Sequence, residues 1–156
     1  MIRIDIPGYR LLNMHHLVLD YNGTLACDGT LIGGVRPALI QLAEKLDVHV
    51  ITADTFGQAK SGLEGIPCHL SILPPDNQAQ GKLAYIHHLG REGTVAIGNG
   101  RNDRLMLKDA ILGIAVVLGE GAAVESLVDA DIVTTSIVSA LELLQFPLRL
   151  TATLRS

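Results

Sequence analysis

The chain has 156 residues, of which 48% are hydrophobic and 18% charged, and its net charge is −4. This length suits one domain with a buried core, and the composition excludes a disordered chain. Three Tyr, two Phe and no Trp offer few stacking platforms, and no stretch of the chain is rich in Lys or Arg. The composition therefore argues against nucleic-acid binding.

The sequence carries no sign of export or of membrane insertion. Arg3 and Asp5 precede any hydrophobic stretch, which is unlike a secretory signal. The longest apolar run, Ile111–Leu118, is too short for the roughly 20 residues that cross a bilayer. Two cysteines, Cys27 and Cys68, are too few for a disulfide framework and indicate reduced thiols. We therefore expect a cytoplasmic protein with no membrane partner.

In chain order, the predicted elements begin with a β-hairpin, which we expect at the edge of the sheet. Its strands are Ile2–Ile6 and Arg10–Leu12, and Pro7 and Gly8 form the turn. Aliphatic and β-branched runs then predict six buried strands. These are His16–Asp20, Val48–Thr52, His69–Leu73, Thr94–Gly98, Gly113–Val117 and Asp131–Thr134.

Segments of helical period separate these strands, and Pro37 in the first turn of the first segment favours a helix start. Five predicted helices are Gly34–Leu46, Gln78–Leu89, Asn102–Ala110, Ala122–Asp129 and Ser136–Leu144. A sixth, short helix begins at a cap formed by Asp54 or Thr55 and ends near Gly65, and Asp76 is the predicted cap of Gln78–Leu89. The alternation predicts an α/β fold of three layers, α/β/α, with a Rossmann-like parallel sheet. We expect a single domain over residues 1–156.

Open parallel sheets bind ligands beyond the carboxyl ends of their strands, so the residues at those ends are the candidates for chemistry. The first strand ends at Asp20 and the second at Thr52, and Lys82 lies near the start of a helix. A carboxylate can attack phosphorus, and a hydroxyl can bind a phosphoryl oxygen. A lysine can neutralise the negative charges of the carboxylate and of the phosphoryl group. The combination favours phosphoryl transfer.

The fourth strand continues into residues 98–103, which read Gly-Asn-Gly-Arg-Asn-Asp. Asn99 and Asp103 supply side-chain oxygens to the same edge of the sheet, and Mg²⁺ prefers such ligands beside phosphate. Arg101 lies within this segment and Arg104 follows it, and either a contact with a substrate anion or a surface role fits them.

These four segments resemble the motifs of the haloacid dehalogenase superfamily of phosphohydrolases. They are most similar to the phosphorylation domain of P-type ATPases, in the form of small soluble proteins that lack the transport parts. The resemblance covers nearly the whole chain and includes residues 73–76, 112–115 and 130–133. It implies a haloacid dehalogenase-like fold and a phosphatase or related hydrolase, without pump activity.

The resemblance also assigns roles to individual residues. Asp20 would be the nucleophile that forms an aspartyl-phosphate, while Thr52 and Lys82 would bind the phosphoryl group. Mg²⁺, the implied cofactor, would be held by Asp20, the Asn22 carbonyl, Asn99 and Asp103.

Two amides depart from the family pattern. Most phosphatases of the superfamily carry an acid–base Asp where this chain has Asn22, and an amide cannot carry a proton. The first acidic metal ligand of the fourth motif is likewise Asn99, which predicts weaker metal affinity. We therefore expect a slow Mg²⁺-dependent phosphohydrolase, with a non-catalytic or phospho-accepting module for assembly or ligand binding as the alternative.

The spacing between motifs leaves no room for a substrate-selecting cap domain. Only Cys27–Gly34 remains, which is enough for a small flap. An open pocket of this kind predicts a phosphorylated small molecule or a phosphoprotein as substrate, and a homo-oligomer is a further expectation.

For Lys82, a solvated position on a helix face is the competing interpretation. The neighbours His15 and His16, like His87 and His88, are poor chelates because adjacent side chains diverge, so all six histidines are interpreted as structural or surface residues.

Overall fold

A computed structural model describes residues 1–54 and 57–156 of the chain. Ten strands occur in this part of the chain. They are β1 (Ile2–Ile6), β2 (Arg10–Met14), β3 (His16–Asp20), β4 (Ala26–Cys27), β5 (Thr30–Leu31), β6 (Asp47–Thr52), β7 (His69–Ile72), β8 (Thr94–Gly98), β9 (Leu112–Val116) and β10 (Ile132–Thr134).

Six of the strands form one parallel sheet in the order β10-β9-β8-β3-β6-β7. The central strands are apolar on both faces because helices cover both faces. In β3, for example, Leu17 and Leu19 belong to one hydrophobic cluster and Val18 to the other. The prediction of a parallel sheet between two helical layers is confirmed.

Seven helices and two short 3₁₀ turns accompany the sheet in the described residues. They are α1 (Val35–Leu42), α2 (Gln58–Gly62), α3 (Gln78–Leu89), α4 (Arg104–Asp109), α5 (Val124–Asp129), α6 (Ile137–Gln145) and α7 (Pro147–Leu154), with the turns at Arg91–Gly93 and Arg101–Asp103. Buried residues of α1 and α6 pack in the larger cluster, and those of α3 and α4 pack in the smaller one on the other face of the sheet.

The β1–β2 hairpin differs from its prediction. It forms a separate two-stranded antiparallel sheet, and the edges of the main sheet are β7 and β10. Ile2, Ile4 and Ile6 alternate toward the interior and join the larger cluster, which also contains Leu150 of α7. The hairpin thus covers hydrophobic side chains on one face of the molecule, and this burial stabilises it there.

The helix that follows β7 and the end of the chain depart from the sequence prediction, whereas the predicted cap before α2 is found. Asn77, with φ of 56°, precedes α3 in place of the predicted Asp76 cap, and no side chain caps this end. Before α2, Asp54 Oδ2 accepts a hydrogen bond from the Ala59 N–H at 2.7 Å, whereas the alternative cap Thr55 lies outside the described residues. Helix α7 was not predicted, although Pro147 at its first position is a typical start.

Within the described residues, no single helix is both long and apolar enough to cross a membrane. Helices α6 and α7 meet these length and composition requirements only when taken together, and they are bent by 102° relative to each other.

The strand order creates a switch point between β3 and β8. From β3 the chain adds β6 and β7 on one side, and from β8 it adds β9 and β10 on the other. In sheets of this order, the crevice beyond the carboxyl ends of the two central strands is the usual ligand site. The last residues of these two strands are Asp20 and Gly98.

Candidate active site

A buried lysine joins two carboxylates at the switch point. Lys82 Nζ lies 2.6 Å from Asp20 Oδ1 and 2.6 Å from Asp103 Oδ1. The lysine belongs to the second turn of α3 and is 1% exposed, so the interpretation of Lys82 as a solvated lysine is wrong. Three predicted site residues, distant in sequence, therefore form one charged triad.

Asp103, the second carboxylate of this triad, also holds the loop that follows β8. Its Oδ2 accepts hydrogen bonds from the N–H groups of Asn99, at 3.0 Å, and Gly100, at 2.8 Å. A side chain at Gly98 would place its Cβ 2.6 Å from Asp103 Cγ, so glycine is required where strand and carboxylate approach this closely. Asp103 is completely buried.

The triad contains two carboxylates but only one ammonium group. Burial raises the pKa of Asp20 to about 7, and the Asp103 charge adds to this effect while Lys82 opposes it. Burial lowers the pKa of Lys82, but the two carboxylates outweigh it and the net pKa is raised, which keeps the lysine charged. With both carboxylates ionised, one negative charge is uncompensated.

Thr24 links Asp20 to the loop after β8. Its hydroxyl lies 3.3 Å from Asp20 Oδ2 and 3.1 Å from Asn99 Oδ1, and it is fully buried. Asn99 Nδ2 donates to the Gly121 carbonyl at 3.0 Å, which orients the amide oxygen toward Thr24. Gly23 permits this approach, since a Cβ there would lie 2.4 Å from Asn99 Nδ2. Sequence reasoning assigned no role to Thr24, because nothing in its spacing distinguishes it from a loop threonine.

A cavity of about 280 Å³ opens beside Asp20 at the carboxyl edge of the sheet. Polar side chains, four of them amides, dominate its wall. The lining residues are Asp20, Asn22, Thr52, Ala53, Gln78, Asn99, Gly100 and Asn102. Asn102 Nδ2 donates to Gln78 Oε1 at 2.5 Å, which ties the start of α3 to the 3₁₀ turn. Gln78 and Asn102 were not predicted as site residues.

The predicted site residues divide between this wall and the layer behind it. Asp20, Asn22, Thr52 and Asn99 line the cavity, whereas Lys82 and Asp103 do not. Arg101, which flanks the site, forms an ion pair with Glu125 at 3.1 Å and is largely exposed. The surface role considered for Arg101 agrees with this contact.

The donor atoms of the cavity suit a hard cation. Asp20, Asn22 and Asn99 supply oxygen atoms to the wall, and the uncompensated negative charge of the triad attracts a divalent ion. Within residues 1–54 and 57–156, no three His, Cys, Asp or Glu side chains are grouped for metal binding. At this edge of the sheet, Asn99 occupies a position where the resemblance implies an acidic ligand, so the cation would have the Asp20 carboxylate and otherwise amide and carbonyl oxygens.

A short hairpin supplies the predicted flap. Strands β4 and β5 pair antiparallel around Asp28 and Gly29, both of which have positive φ. The Tyr21 hydroxyl donates to the Gly29 carbonyl at 3.1 Å, and the Asp28 N–H donates to Glu120 Oε2 at 3.3 Å. The flap is thereby fixed to the loop after β9, which also contains Gly121, the partner of Asn99. No larger cap occurs in the part of the chain that the structure describes.

No protein-family model matches the chain. Two proteins of Methanocaldococcus jannaschii are similar to parts of it. The uncharacterized protein MJ0073 is 45% identical over 78 residues, which cover 47% of this chain and 84% of that protein. The uncharacterized protein MJ0072 is 41% identical over 39 residues, which cover 25% of this chain and 89% of that protein.

Solved structures with the same fold cover nearly the whole chain. A 3-deoxy-D-manno-octulosonate 8-phosphate phosphatase from Moraxella catarrhalis, in complex with magnesium, phosphate and KDO, matches with a TM-score of 0.71 and 15% identity, covering 90% of this chain and 93% of that one. A putative phosphatase of the same name from Vibrio cholerae matches with a TM-score of 0.71 and 14% identity over 99% and 98%. A putative haloacid dehalogenase superfamily hydrolase from Legionella pneumophila gives a TM-score of 0.68 and 18% identity over 90% and 88%.

Proposed function

Because this chain has the haloacid dehalogenase fold and belongs to one family with MJ0073, we propose that it is a Mg²⁺-dependent phosphohydrolase that acts through Asp20. The observation that carries the proposal is the position of Asp20. Its carboxylate lies at the switch point of the sheet, is bound to a buried lysine, and faces a polar cavity. A structural aspartate has no need of this combination of burial, charge and access.

The reaction begins when the Asp20 carboxylate attacks the phosphorus of a bound phosphoester or acyl phosphate. A bond forms between the carboxylate oxygen and phosphorus, and the bond to the leaving oxygen breaks, which gives an aspartyl-phosphate. Water then attacks phosphorus, inorganic phosphate departs and the carboxylate is restored. Lys82 opposes the rise in the pKa of Asp20 and thereby favours its ionised form. Thr52 lies on the cavity wall, where its hydroxyl can bind a phosphoryl oxygen.

Mg²⁺ supplies charge neutralisation for the phosphoryl group when it is bound. Asp20, the Asn22 carbonyl and Asn99 are the residues that would hold it from the cavity wall. Asp103, the fourth predicted ligand, has one oxygen on Lys82 and the other on two backbone N–H groups. In this proposal it contributes charge from behind the wall.

Asn22 limits the reaction at two points. The leaving group must depart without a proton from a neighbouring acid, and the attacking water must act without a base. Good leaving groups such as the carboxylate of acetyl phosphate are therefore expected to react far better than alkyl alcohols. The aspartyl-phosphate is expected to accumulate.

We propose a phosphorylated small molecule as the substrate class. A cavity of about 280 Å³ holds a phosphoryl group and a small attached group, and its amides can hydrogen-bond hydroxyls. The Moraxella catarrhalis neighbour is named for a phosphorylated sugar acid, so 3-deoxy-D-manno-octulosonate 8-phosphate belongs among the substrates to test. A phosphoprotein is the alternative, since the flap is short and the site open.

The second candidate function is a phospho-accepting or non-catalytic module. Asn22 and Asn99 favour it, because both amides line the cavity where acidic groups would support turnover and metal binding. In this candidate, Asp20 accepts a phosphoryl group without hydrolysis, or binds a ligand only, and the domain serves assembly or sensing.

The decisive experiment combines intact mass with phosphate release. The protein is incubated with acetyl phosphate and Mg²⁺, and separately with a panel of phosphorylated metabolites, alongside the Asp20→Asn variant. We expect one added phosphoryl group in the wild type and none in the variant, with slow phosphate release from the best substrate.

Each result points to one candidate. A stable adduct without phosphate release favours the phospho-accepting module, and neither adduct nor release favours the non-catalytic one. Adduct formation that persists in Asp20→Asn would show that Asp20 is not the nucleophile.

A further inference from the structure

Two pairs of side chains join α3 to the turn that follows β8. Gln78 and Lys82 are four residues apart in α3 and therefore lie on the same face of the helix. Lys82 is bound to Asp103, and Gln78 Oε1 accepts a hydrogen bond from Asn102 Nδ2 at 2.5 Å. The lysine pair is buried, whereas Gln78 and Asn102 are half-buried and line the cavity beside Asp20. The amide pair therefore faces whatever is attached to a bound phosphoryl group.

The Gln78 side chain is held from two sides. Its Nε2 donates to the Pro75 carbonyl at 3.3 Å, and its Oε1 accepts from Asn102. These contacts use one of the two N–H groups and one of the two oxygen lone pairs of the amide. The amide thus keeps one donor and one acceptor for a ligand, and its orientation is set before the ligand binds.

A donor next to an acceptor matches a hydroxyl group, because a hydroxyl both donates and accepts a hydrogen bond. A carboxylate only accepts, so in the same place its oxygen would face the free lone pair of Gln78 Oε1 without a proton between them. Sites that hydrogen-bond a substrate group in this way discriminate strongly, since a mismatched analogue leaves polar groups unpaired.

The charge of the wall acts in the same direction. Asp20 supplies the charge of the described cavity wall, and the triad to which it belongs has more negative than positive charge. Arg101, the neighbour of Asn102 in the turn, is paired with Glu125 at 3.1 Å. In the proposed reaction Mg²⁺ neutralises the phosphoryl group. A second anionic group on the substrate would therefore lie among amides and near carboxylate charge.

We infer that Gln78 is a specificity-determining residue, which together with Asn102 selects phosphate monoesters of neutral polyhydroxy compounds over esters that carry a carboxylate. The inference rests on the proposed function in one respect, the placement of the phosphoryl group at Asp20. It also distinguishes this chain from the Moraxella catarrhalis neighbour, which is named for a phosphorylated sugar acid. We expect that acid ester to bind poorly here.

The test compares two esters with the same carbon skeleton. Glycerol-3-phosphate ends in a hydroxymethyl group, and 3-phosphoglycerate has a carboxylate in its place. Calorimetric titration of the wild type with each ester, in saturating Mg²⁺, measures the two dissociation constants. Both are alkyl esters, which Asn22 is expected to make slow to react, so binding can be measured before turnover. We expect glycerol-3-phosphate to bind at least roughly tenfold more tightly.

Variants of α3 assign this preference to one side chain. Gln78→Met removes the amide at similar length, and we expect it to weaken binding of glycerol-3-phosphate roughly tenfold and that of 3-phosphoglycerate less than about threefold. Gln78→Lys supplies a cation and should reverse the preference. Gln80→Met is the matched control, because Gln80 is exposed and lies outside the described wall, and both dissociation constants should equal those of the wild type.

Acetyl phosphate separates this inference from the proposed function, because it has no hydroxyl group and its mass adduct reports on Asp20. Selective binding of glycerol-3-phosphate without an adduct would support the role of Gln78 and count against the phosphohydrolase. An adduct together with equal binding of the two esters, or a preference that Gln78→Met retains, would overturn the inference and leave the reaction at Asp20 standing. Failure of both esters to bind would overturn it as well.

Discussion

Asn22 stands two residues after Asp20 and shares its cavity. Its amide has nearly the size of a carboxyl group but cannot transfer a proton. We expect Asn22→Asp to increase phosphate release from ordinary phosphoesters by up to roughly 10²–10⁴-fold and to shorten the life of the aspartyl-phosphate. Stopped-time mass spectra and phosphate assays of both proteins measure the two effects. An unchanged rate would show that proton transfer does not limit this site.

Lys82 illustrates a residue whose role follows from the sequence but whose environment does not. Its spacing before Gly98 predicted a contact with Asp20, yet a surface position was equally compatible with the helix. Because its expected partners are Asp20 and the substrate rather than the core, the sequence also predicts that removal of the lysine costs little stability. The structure shows a 1% exposed ammonium between two carboxylates, so this expectation changes.

The substitution Lys82→Met leaves two buried carboxylates without their cation. We expect the free energy of unfolding to fall by roughly 3–5 kcal/mol, together with complete loss of phosphoryl transfer. Urea denaturation at neutral pH measures the first effect. The matched control is Lys108→Met, because the exposed pair of Lys108 with Asp129 at 3.6 Å contributes little. Equal stability of the two variants would contradict the buried ion triad.

Asp20→Asn acts in the opposite direction. It removes the negative charge that Lys82 cannot compensate, so we expect the variant to be more stable than the wild type by roughly 1–3 kcal/mol at pH 8 without metal. Phosphoryl transfer should be lost. Thermal unfolding with and without Mg²⁺ provides the comparison, and added Mg²⁺ should reduce the difference. A variant less stable than the wild type in metal-free buffer would refute the uncompensated charge.

At the scale of elements, the sequence predicted the six sheet strands because each combines an apolar run with a turn signal. It therefore also predicted that Asp20, Thr52 and Asn99 meet at one edge, since parallel strands end there together. The contacts of His49 with His16 and His69 were missed for a related reason. Only sequence neighbours such as His15 and His16 were compared, whereas these contacts form across strands whose register sequence alone does not specify.

The contact between β9 and α4 requires a glycine for steric reasons. A Cβ at Gly113 would lie 2.0 Å from the Leu107 carbonyl oxygen, so helix and strand would have to separate. We expect Gly113→Ala to lower the free energy of unfolding by roughly 1–3 kcal/mol or more. Gly33→Ala is the control, because nothing lies within 4 Å of a Cβ there, and its effect should stay within about 0.5 kcal/mol. Denaturant midpoints of the two variants decide the matter.

At the scale of the whole molecule, stability is expected to depend on pH through His49. Burial lowers the pKa of His49 to about 4, and the neighbouring His69 and His16 add to the effect while Asp47 opposes it. The folded protein therefore disfavours the protonated ring that the unfolded chain forms below about pH 6.5. Stability is full above pH 6.5 and declines as the pH falls toward 4.

Metal-free thermal unfolding between pH 8 and pH 4 tests this dependence. We expect replacement by an uncharged residue, His49→Asn, to remove roughly 1 kcal/mol of the acid-induced loss. His15→Gln, at an exposed position, should leave the dependence as it is in the wild type. Parallel curves for the wild type and His49→Asn would show that other groups cause the acid sensitivity.

The unequal charges of the triad have a consequence for how this sequence can drift. Changing Lys82 or Asp103 alone is expected to be strongly destabilising, so selection for folding would retain both even in a chain without activity. Asp20 is different, because one base change to asparagine relieves the excess charge and favours the folded state. A lineage released from catalysis would be expected to lose this aspartate early. If Asp20→Asn is more stable as predicted, folding alone does not explain why a chain with Asn22 and Asn99 carries this aspartate, and its retention is expected to depend on function.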